Sequence, residues 1–340
     1  MGESVMINAL TERRNEFMDE NKEWDIEDLL KESYEDIPKP ESPEPVWATK
    51  QTTSNRFTMS KKTYYFLLVV FACVFLFSAV YLIGYYVETQ SAENIYNDLA
   101  DLYYQSGGAM NPTLPNGVQE TTPDGAEPVI LPELLPIYER NNDLVGYLKI
   151  DDKMLYPVMQ SPGDSDFYLD HDFNRNESIS GCPYVPASCD VFEPSDNVVI
   201  YGHNMRSGGI FNHLLKYRTK EYWQEHQTFQ FDTLYERHTY QIFAVFKTAG
   251  KQHTEDGDIW GFPYHRMNDF DTAEEFDQFI ADVKGAAFAE GGYQGQSPYD
   301  TGIAPKYGDK LLCLSTCEYT VKDPDGTING RWVVMAVRID

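Results

Sequence analysis

The stretch LLCLSTCEYT, residues 311–320, joins an apolar run to two cysteines near the end of the chain. Short β-rich runs of this kind, separated by turn residues, predict strands. Cys313 and Cys317 share parity on such a strand, so both side chains face the same side of it. Four residues of strand span roughly 13 Å, which is too far for a disulfide between these two cysteines.

The same pattern recurs over the second half of the chain and predicts a mainly β domain. A hairpin with YERH (235–238) as its turn is expected within 228–248. Several strands with few helices favour a β-barrel or sandwich with peripheral helices. The runs are LVGYLKI (144–150), LYPVMQ (155–160), DNVVIYGH (196–203), TFQFDTLYERHTYQIFAVFKT (228–248), KLLCLSTC (310–317) and RWVVMAVRI (331–339).

Two segments of the same domain are typical of helices. LPELLPIYERNNDLV (131–145) is expected to be helical where the domain begins. DTAEEFDQFIADVKGAAF (271–288) has Asp271 or Thr272 as a cap and acidic residues in the first turn. Its apolar residues recur at helical spacing and predict one buried face: Phe276, Phe279, Ile280 and Val283.

Residues 63–87, TYYFLLVVFACVFLFSAVYLIGYYV, contain no charged side chain. A spanning helix needs about 20 apolar residues, whereas the apolar region of a secretory signal is only about 7–15 residues long and lies near the N-terminus. Tyrosines lie towards both ends, as interfacial aromatic residues do. The segment is therefore predicted to be one transmembrane helix.

The flanking charges predict the orientation of that helix. Lys50, Arg56, Lys61 and Lys62 precede it, and the first Lys or Arg after it is Arg140. The positive-inside rule places the N-terminus in the cytoplasm and residues 88–340 outside the cell membrane.

Four regions follow from this reading. Residues 1–62 form an acidic cytoplasmic tail, predicted to be largely disordered, and 63–87 form the span. Residues 88–130 comprise a juxtamembrane helix (88–105) with an apolar stripe, followed by a linker rich in Gly, Pro and Thr. The folded domain is expected to occupy 131–340.

The formal net charge of -27 argues against a nucleic-acid partner, because a phosphate backbone requires clustered Lys and Arg. No basic stripe is present in the sequence. We interpret the acidity as a solvated surface that favours solubility.

Each remaining cysteine allows a structural interpretation. Cys182 and Cys189 flank a Pro-containing stretch and are able to pair across a turn in an oxidising exterior. Cys73 lies inside the span, and Cys313, among leucines, fits a buried thiol. The spacings do not match paired zinc knuckles, and no metal or cofactor motif is present.

Cys317 fits a reactive thiol better than a structural one. It is predicted to end its strand, with the polar loop EYTVKDPDGTINGR after it, and strand ends often carry reactive groups. A thiol nucleophile needs a cationic neighbour, because a free thiol is mostly protonated at neutral pH.

Among the histidines, His203 is the best partner for that thiol, since it ends an apolar strand before a Gly-rich loop. His171 is a weak candidate. The others lie in polar or helical contexts and are expected at the surface: His213, His226, His238, His253 and His265.

IYGHNM (200–205), LSTCEY (314–319) and GRWVV (330–334), in this order, resemble the motifs of class B sortases, membrane-anchored cysteine transpeptidases of Gram-positive bacteria. The likeness extends over about residues 131–340. It implies an eight-stranded sortase-type β-barrel with peripheral helices, preceded by one transmembrane helix. The helix at 271–288 resembles the additional helix that class B members carry.

The resemblance implies a site made of His203, Cys317 and Arg331. Cys317 would attack the Thr carbonyl of a C-terminal sorting signal and form a thioacyl enzyme. His203 would protonate the leaving amine and then activate the incoming one. Arg331 would bind the substrate carbonyl or its oxyanion. Arg338 is the alternative, although it lies seven residues further on with opposite parity.

By the same resemblance, Ser315, Thr316 and Glu318 are candidates for lining the substrate groove, with strand-end or loop packing as the alternative. Asn204 and Tyr201 flank His203 and are candidates for orienting it, and Asn204 is also a candidate for binding substrate.

The implied partners are secreted proteins with a sorting signal, resembling N-P-x-T-x, and an amine of a lipid-linked peptidoglycan precursor or a pilin. A papain-type hydrolase is disfavoured, because its nucleophile precedes its histidine and lies in a different motif. A non-catalytic surface scaffold or adhesion domain on the same barrel is the alternative function, and it predicts an inert Cys317.

Overall fold

The computed structural model describes residues 60–109, 128–151, 154–254, 257–260, 262–288, 299–322 and 328–340. Residues 1–59 of the predicted disordered tail and most of the predicted linker lie outside these residues, whereas Lys61 and Lys62 already belong to the first helix. Within these residues the α-helices are α1 (Lys61–Gln105), α2 (Leu135–Tyr138), α3 (Lys220–Glu225) and α4 (Ala273–Phe288), and 3-10 helices cover Phe167–Leu169 and Phe211–Arg218.

Nine strands lie within the described residues, and seven of them form the main sheet in the order β2-β1-β4-β5-β9-β8-β3. All neighbours in this sheet are antiparallel except β3 and β8, which are parallel. β6 and β7 form a separate hairpin. The strands are β1 (Leu144–Ile150), β2 (Met154–Met159), β3 (Asn197–Tyr201), β4 (Thr228–Thr233), β5 (Arg237–Ala249), β6 (Lys251–Thr254), β7 (Gly257–Trp260), β8 (Leu311–Lys322) and β9 (Ile328–Arg338).

A short segment at 183–185 joins the two edges of the main sheet. It pairs in parallel with β2, because Met159 donates its N–H to Pro183 at 2.9 Å and accepts from Val185 at 2.8 Å. On its other side, Tyr184 and Tyr201 exchange backbone hydrogen bonds of 3.0 and 2.8 Å. The segment takes the eighth place in the ring, so the sheet closes as the predicted sortase-type barrel.

The barrel core is built from the central strands, whose apolar residues are buried on both faces. Leu311 to Leu314 on β8 and Val333 to Ala336 on β9 are almost completely excluded from solvent. The predicted face of α4 is buried as well, and Thr272 caps this helix by accepting the Glu275 N–H at 3.3 Å. All four predicted residues of α4 are buried: Phe276, Phe279, Ile280 and Val283.

Two predicted strand ends were wrong. β8 does not end at Cys317 but runs to Lys322, because its ladder with β9 continues through the pair Glu318 and Gly330 and past an irregularity. The turn between β4 and β5 covers 234–236 rather than 235–238, since the Thr233 N–H donates to the Glu236 carbonyl and Arg237 already pairs with Asp232.

Helix α1 contains both the apolar span and the juxtamembrane segment. Its apolar part is exposed and is long enough to cross a membrane. Beyond residue 87 one face becomes buried at positions 92, 96, 99 and 103, a helical spacing. Of the predicted stripe, Leu99 and Tyr103 are buried, whereas Ile95 and Leu102 are only partly buried.

The hydroxyl of Tyr103 on α1 contacts a buried ion pair. Lys149 Nζ donates to Asp232 Oδ2 at 2.6 Å and to the Tyr103 hydroxyl at 2.8 Å. The charged side chains are 2% and 1% exposed. Loss of either charge would leave the other buried without compensation, which is far more costly than breaking an exposed pair.

Replacing Lys149 with Met is therefore expected to lower the free energy of unfolding by about 3–5 kcal/mol. Urea denaturation of the full chain in detergent micelles, followed by tryptophan fluorescence, measures this loss. Arg140→Ala is the control, because its ion pair with Asp98 is exposed (45% and 63%) and is worth about 0–1 kcal/mol. Equal effects of the two substitutions would contradict a structural role of the buried pair.

Candidate active site

The register of three strands brings the predicted catalytic residues together. His203 follows the end of β3, where Tyr201 pairs with Ser315 of β8. On the other side of β8, Cys317 lies directly opposite Arg331 of β9. Residues opposite each other in a ladder have Cβ atoms about 4.5–5.5 Å apart, so the sheet itself places Arg331 beside the thiol.

The His203 ring lies between Cys317 and a backbone carbonyl. Its Nε2 is 2.7 Å from the carbonyl oxygen of Leu169, and because that oxygen only accepts, Nε2 carries a proton. The hydrogen bond with Cys317 raises the pKa of His203, and the Leu169 carbonyl raises it further, against burial and the charge of Arg331.

Cys317 has the opposite shift. Its hydrogen bond with His203 lowers the pKa of the thiol, and the positive charges of Arg331 and His203 lower it further, although burial opposes them. The two groups therefore stabilise a thiolate beside an imidazolium, and they titrate as a pair.

Arg331 supplies a second cation at the same point. Its Nη1 donates to its neighbour Gly330 at 2.9 Å, which holds the guanidinium near the strand, and the side chain lines the cleft with Cys317. Arg338 pairs with Tyr240 at the far end of β9 and does not line the cleft. Of the two arginines considered, the structure brings Arg331 to the thiol.

The cleft around these residues has a volume of about 470 Å³ and mixes aromatic walls with a few polar groups. A cleft of this size, with a few polar groups among apolar walls, is typical of a ligand-binding site. It is lined by Asp166, Leu169, Tyr184, Pro186, Ser188, Tyr201, Gly202, His203, Ala249, Gly250, Phe262, Tyr264, His265, Ser315, Thr316, Cys317, Asn329 and Arg331.

Of the three residues predicted to line the substrate groove on β8, two line the cleft and one does not. Ser315 and Thr316 line the cleft, with their hydroxyls bonded to Tyr264 Oη and to the Gly202 carbonyl, each at 2.7 Å. Glu318 is outside the lining, buried in a 3.0 Å ion pair with Arg218.

Asn204 connects the histidine loop to the cysteine strand. Its Nδ2 donates to the Cys317 carbonyl at 2.9 Å, and its Oδ1 accepts from Asn212 at 2.7 Å. Its side chain therefore bonds backbone and a neighbouring amide instead of lining the cleft. Tyr201 does line the cleft, where its ring packs against Tyr184.

His265 was expected at the surface, but it lines the cleft, and burial with the nearby Arg266 and Arg331 lowers its pKa. This position could not be predicted, because the segment 262–267 is irregular and has no periodic pattern. The contact of His203 with the Leu169 carbonyl could not be predicted from the sequence either, because any residue supplies such a backbone group.

Three of the other four cysteines are buried. Cys313 is fully buried, as predicted. Cys182 and Cys189 are free, and each thiol points at a separate carbonyl, of Pro157 and Asn197, both at 3.8 Å. Burial raises the pKa of all three thiols. No group of three potential metal ligands occurs among the residues that the structure describes.

No sequence model of a protein family matches the chain. It is, however, 30% identical over 203 residues to sortase B of Listeria monocytogenes, which covers 59% of this chain and 72% of that protein. The chain belongs to the class B sortases. Sortase B of Staphylococcus aureus is 26% identical over 190 residues, or 56% of this chain and 69% of that protein.

Solved structures agree on the fold. A sortase B-substrate complex of Staphylococcus aureus matches with a TM-score of 0.55 and 21% identity, covering 75% of this chain and 99% of that one. Sortase B of Bacillus anthracis in complex with AAEK1 matches with a TM-score of 0.54, 21% identity and the same coverage. These structures share the curled sheet with peripheral helices.

Family membership makes this sortase a cysteine transpeptidase that acts on sorting-signal substrates and amine acceptors. Sortases are cell-surface enzymes, and the exposed apolar part of α1 fits a single-pass membrane anchor.

The pKa shifts predict a selective thiol. In the native full chain, iodoacetamide at pH 7 is expected to alkylate Cys317 faster than Cys182, Cys189 or Cys313, because its thiolate is stabilised and theirs are not. His203→Ala removes the hydrogen bond that lowers the pKa of Cys317, so the pH midpoint of alkylation should rise. Each pH unit by which this midpoint rises slows alkylation at pH 7 about tenfold. Mass spectrometry of the cysteine peptides measures every site. An unchanged midpoint in His203→Ala would contradict the pairing.

Proposed function

We propose that this sortase cleaves a sorting signal of secreted proteins at a Thr-x bond through a thioacyl enzyme on Cys317, and joins the Thr carboxyl to an amine. The observation that carries the proposal is the placement of Cys317 between His203 and Arg331 at the wall of a peptide-sized cleft. A thiolate held beside an imidazolium is a nucleophile and a proton donor in one site.

The first half of the reaction uses the pair as it lies in the structure. The Cys317 thiolate attacks the Thr carbonyl carbon, and the carbonyl oxygen gains the negative charge. His203 gives its proton to the departing amine as the C–N bond breaks. The hydrogen bond between His203 and the Leu169 carbonyl supports this role, because it keeps the ring in place while its charge changes.

Arg331 is proposed to stabilise the negative charge on the carbonyl oxygen. It lies opposite Cys317 on the neighbouring strand, and its guanidinium donates hydrogen bonds in a fixed plane. Removing one donor from an oxyanion site typically slows the reaction about 100- to 1,000-fold.

The second half restores the thiolate and the imidazolium. His203, now neutral, takes a proton from the incoming amine, which attacks the thioester and releases the ligated product. The proposed acceptor is an amine of a lipid-linked peptidoglycan precursor or of a pilin, and water would replace it as a side reaction. Ser315, Thr316 and Tyr201 are proposed to contact the substrate, since they line the cleft.

The charges flanking α1 support a topology for this reaction. We place the N-terminus in the cytoplasm and residues 88–340 outside, because Lys and Arg precede the span and acidic residues follow it. The catalytic domain is assigned to 131–340. This topology places the cleft on the side where secreted proteins and lipid-linked precursors meet.

Peptide cleavage tests the assignment. The full chain in detergent micelles is incubated with a panel of fluorogenic peptides of the N-P-x-T-x type, with and without an amine acceptor. Cys317→Ala should abolish cleavage, and the acceptor should convert hydrolysed product into ligated product. Failure of every peptide, together with a Cys317 no more reactive than Cys189, would favour a non-catalytic scaffold.

The two arginines offer a matched comparison in the same assay. Arg331→Ala is expected to lower kcat/KM about 100- to 1,000-fold, because the oxyanion loses its donor. Arg338→Ala removes the same side chain from the far end of the same strand and should leave kcat/KM within about twofold of the wild type. Equal losses in both variants, or a loss in Arg338→Ala alone, would overturn the role given to Arg331.

A further inference from the structure

Helix α1 holds the loop at 179–182, which lies beside the active site, at two points. The Glu88 carboxylate accepts the N–H of Ile179 at 2.8 Å. Two turns further along the helix, the buried Tyr96 hydroxyl donates to the carbonyl of Gly181. A loop fixed in this way cannot move without breaking contacts to the helix that carries the membrane anchor.

Gly181 is packed against the groups that support His203. Its φ of +56° is in the left-handed region, and a Cβ there would lie 2.5 Å from the Leu169 carbonyl oxygen and 3.1 Å from His203 Cδ2. The next residue, Cys182, donates its N–H to the Tyr168 carbonyl at 2.9 Å. The loop therefore packs against the Leu169 carbonyl, which accepts the hydrogen bond from His203 Nε2.

Tyr96 also supports the other end of the histidine loop. Its ring packs edge-on against Tyr156 of β2, with centroids 5.2 Å apart. Tyr156 lies near the backbone of Ile210, which bridges back to Asn204. One side chain of α1 therefore contacts the loop at 179–182 directly and approaches the end of the histidine loop through Tyr156.

We propose that Tyr96 is a positioning residue for His203. The juxtamembrane part of α1 then supports the active site in addition to connecting the domain to the membrane anchor. The inference rests on the proposed function, because it assigns Tyr96 to the support of the proposed general acid and base. Tyr96 does not line the cleft, so it acts through Gly181 and Tyr156.

Tyr96→Phe is the decisive variant, because it keeps the ring and removes only the hydroxyl. Tyr103→Phe is its matched control, since it removes another buried hydroxyl from the same helix, at the Lys149 ion pair. The full chain in detergent micelles is assayed for kcat and KM of peptide cleavage, for the pH midpoint of Cys317 alkylation without substrate, and for thermal stability.

Tyr96→Phe is expected to lower kcat about ten- to a hundredfold with little change in KM, because small displacements of a catalytic group are costly. The pH midpoint of Cys317 alkylation should rise, as the hydrogen bond from His203 is weakened. Tyr103→Phe should lower the thermal midpoint and leave both kcat and the pH midpoint unchanged. A Tyr96→Phe enzyme with wild-type kcat and pH midpoint would overturn the proposal, whatever its thermal stability.

Two further variants keep the test decisive. If Tyr96→Phe does not fold, Glu88→Ala replaces it, because Glu88 on α1 accepts the hydrogen bond from Ile179 of the same loop. This variant should also lower kcat and raise the pH midpoint of Cys317 alkylation. Glu93→Ala, at an exposed position of the same helix, is its control and should change neither. Wild-type behaviour of Glu88→Ala would then overturn the proposal. His203→Ala distinguishes failure of the proposed function from failure of the positioning role. If His203→Ala retains full kcat, the proposed function is wrong. If His203→Ala is inactive while Tyr96→Phe has a normal kcat, only the positioning role of Tyr96 is wrong.

Discussion

Strand β8 is hydrogen-bonded to β3 on one side and to β9 on the other, and the site depends on the register of these two ladders. The parallel ladder sets the end of β3, and with it His203, beside Ser315 and Cys317. The antiparallel ladder sets Arg331 opposite Cys317. A slip by one residue would turn the thiol to the other face of the sheet. The fully buried residues at 311–314 and 333–336 hold the register.

The electrostatics of the site follow from this geometry. A cysteine in a half-buried cleft has a raised pKa unless cations compensate for lost solvation. Here His203, just after the end of β3, and Arg331 on β9 compensate and lower the pKa of Cys317. The chemistry therefore depends on parts of the chain that are far apart in sequence. The ring of His203 depends in turn on the Leu169 carbonyl and on the loop at 179–182, which α1 supports.

Much of the fold could be predicted from short-range pattern. Apolar, β-branched runs located the strands of the main sheet, and the stripe at Phe276 and Val283 located the buried face of α4. Parity along β9 favoured Arg331 over Arg338, and the structure places Arg331 at the cleft. The extension of β8 past Cys317 was missed, since a strand at the rim needs no apolar alternation to pair with its neighbour.

The parts that could not be predicted involve backbone groups and long-range pairs. The Leu169 carbonyl and the close approach of Gly181 depend on loop conformation, to which side-chain pattern gives no access. The closure of the barrel by Tyr184 rests on isolated backbone bonds outside any regular strand. The Lys149 and Asp232 pair joins β1 and β4, and nothing local in either strand marks its partner.

Mass spectrometry of the enzyme can detect directly whether Cys317 carries the acyl group during transfer. The full chain is mixed with a peptide that it cleaves, in the absence of amine, and is then quenched in acid and digested. We expect the enzyme peptide that contains Cys317 to gain the mass of the acyl fragment up to Thr, and an amine added before the quench to remove this mass. Turnover of the substrate with no acyl group on Cys317, or with the acyl group on another cysteine, would contradict the nucleophilic role of Cys317.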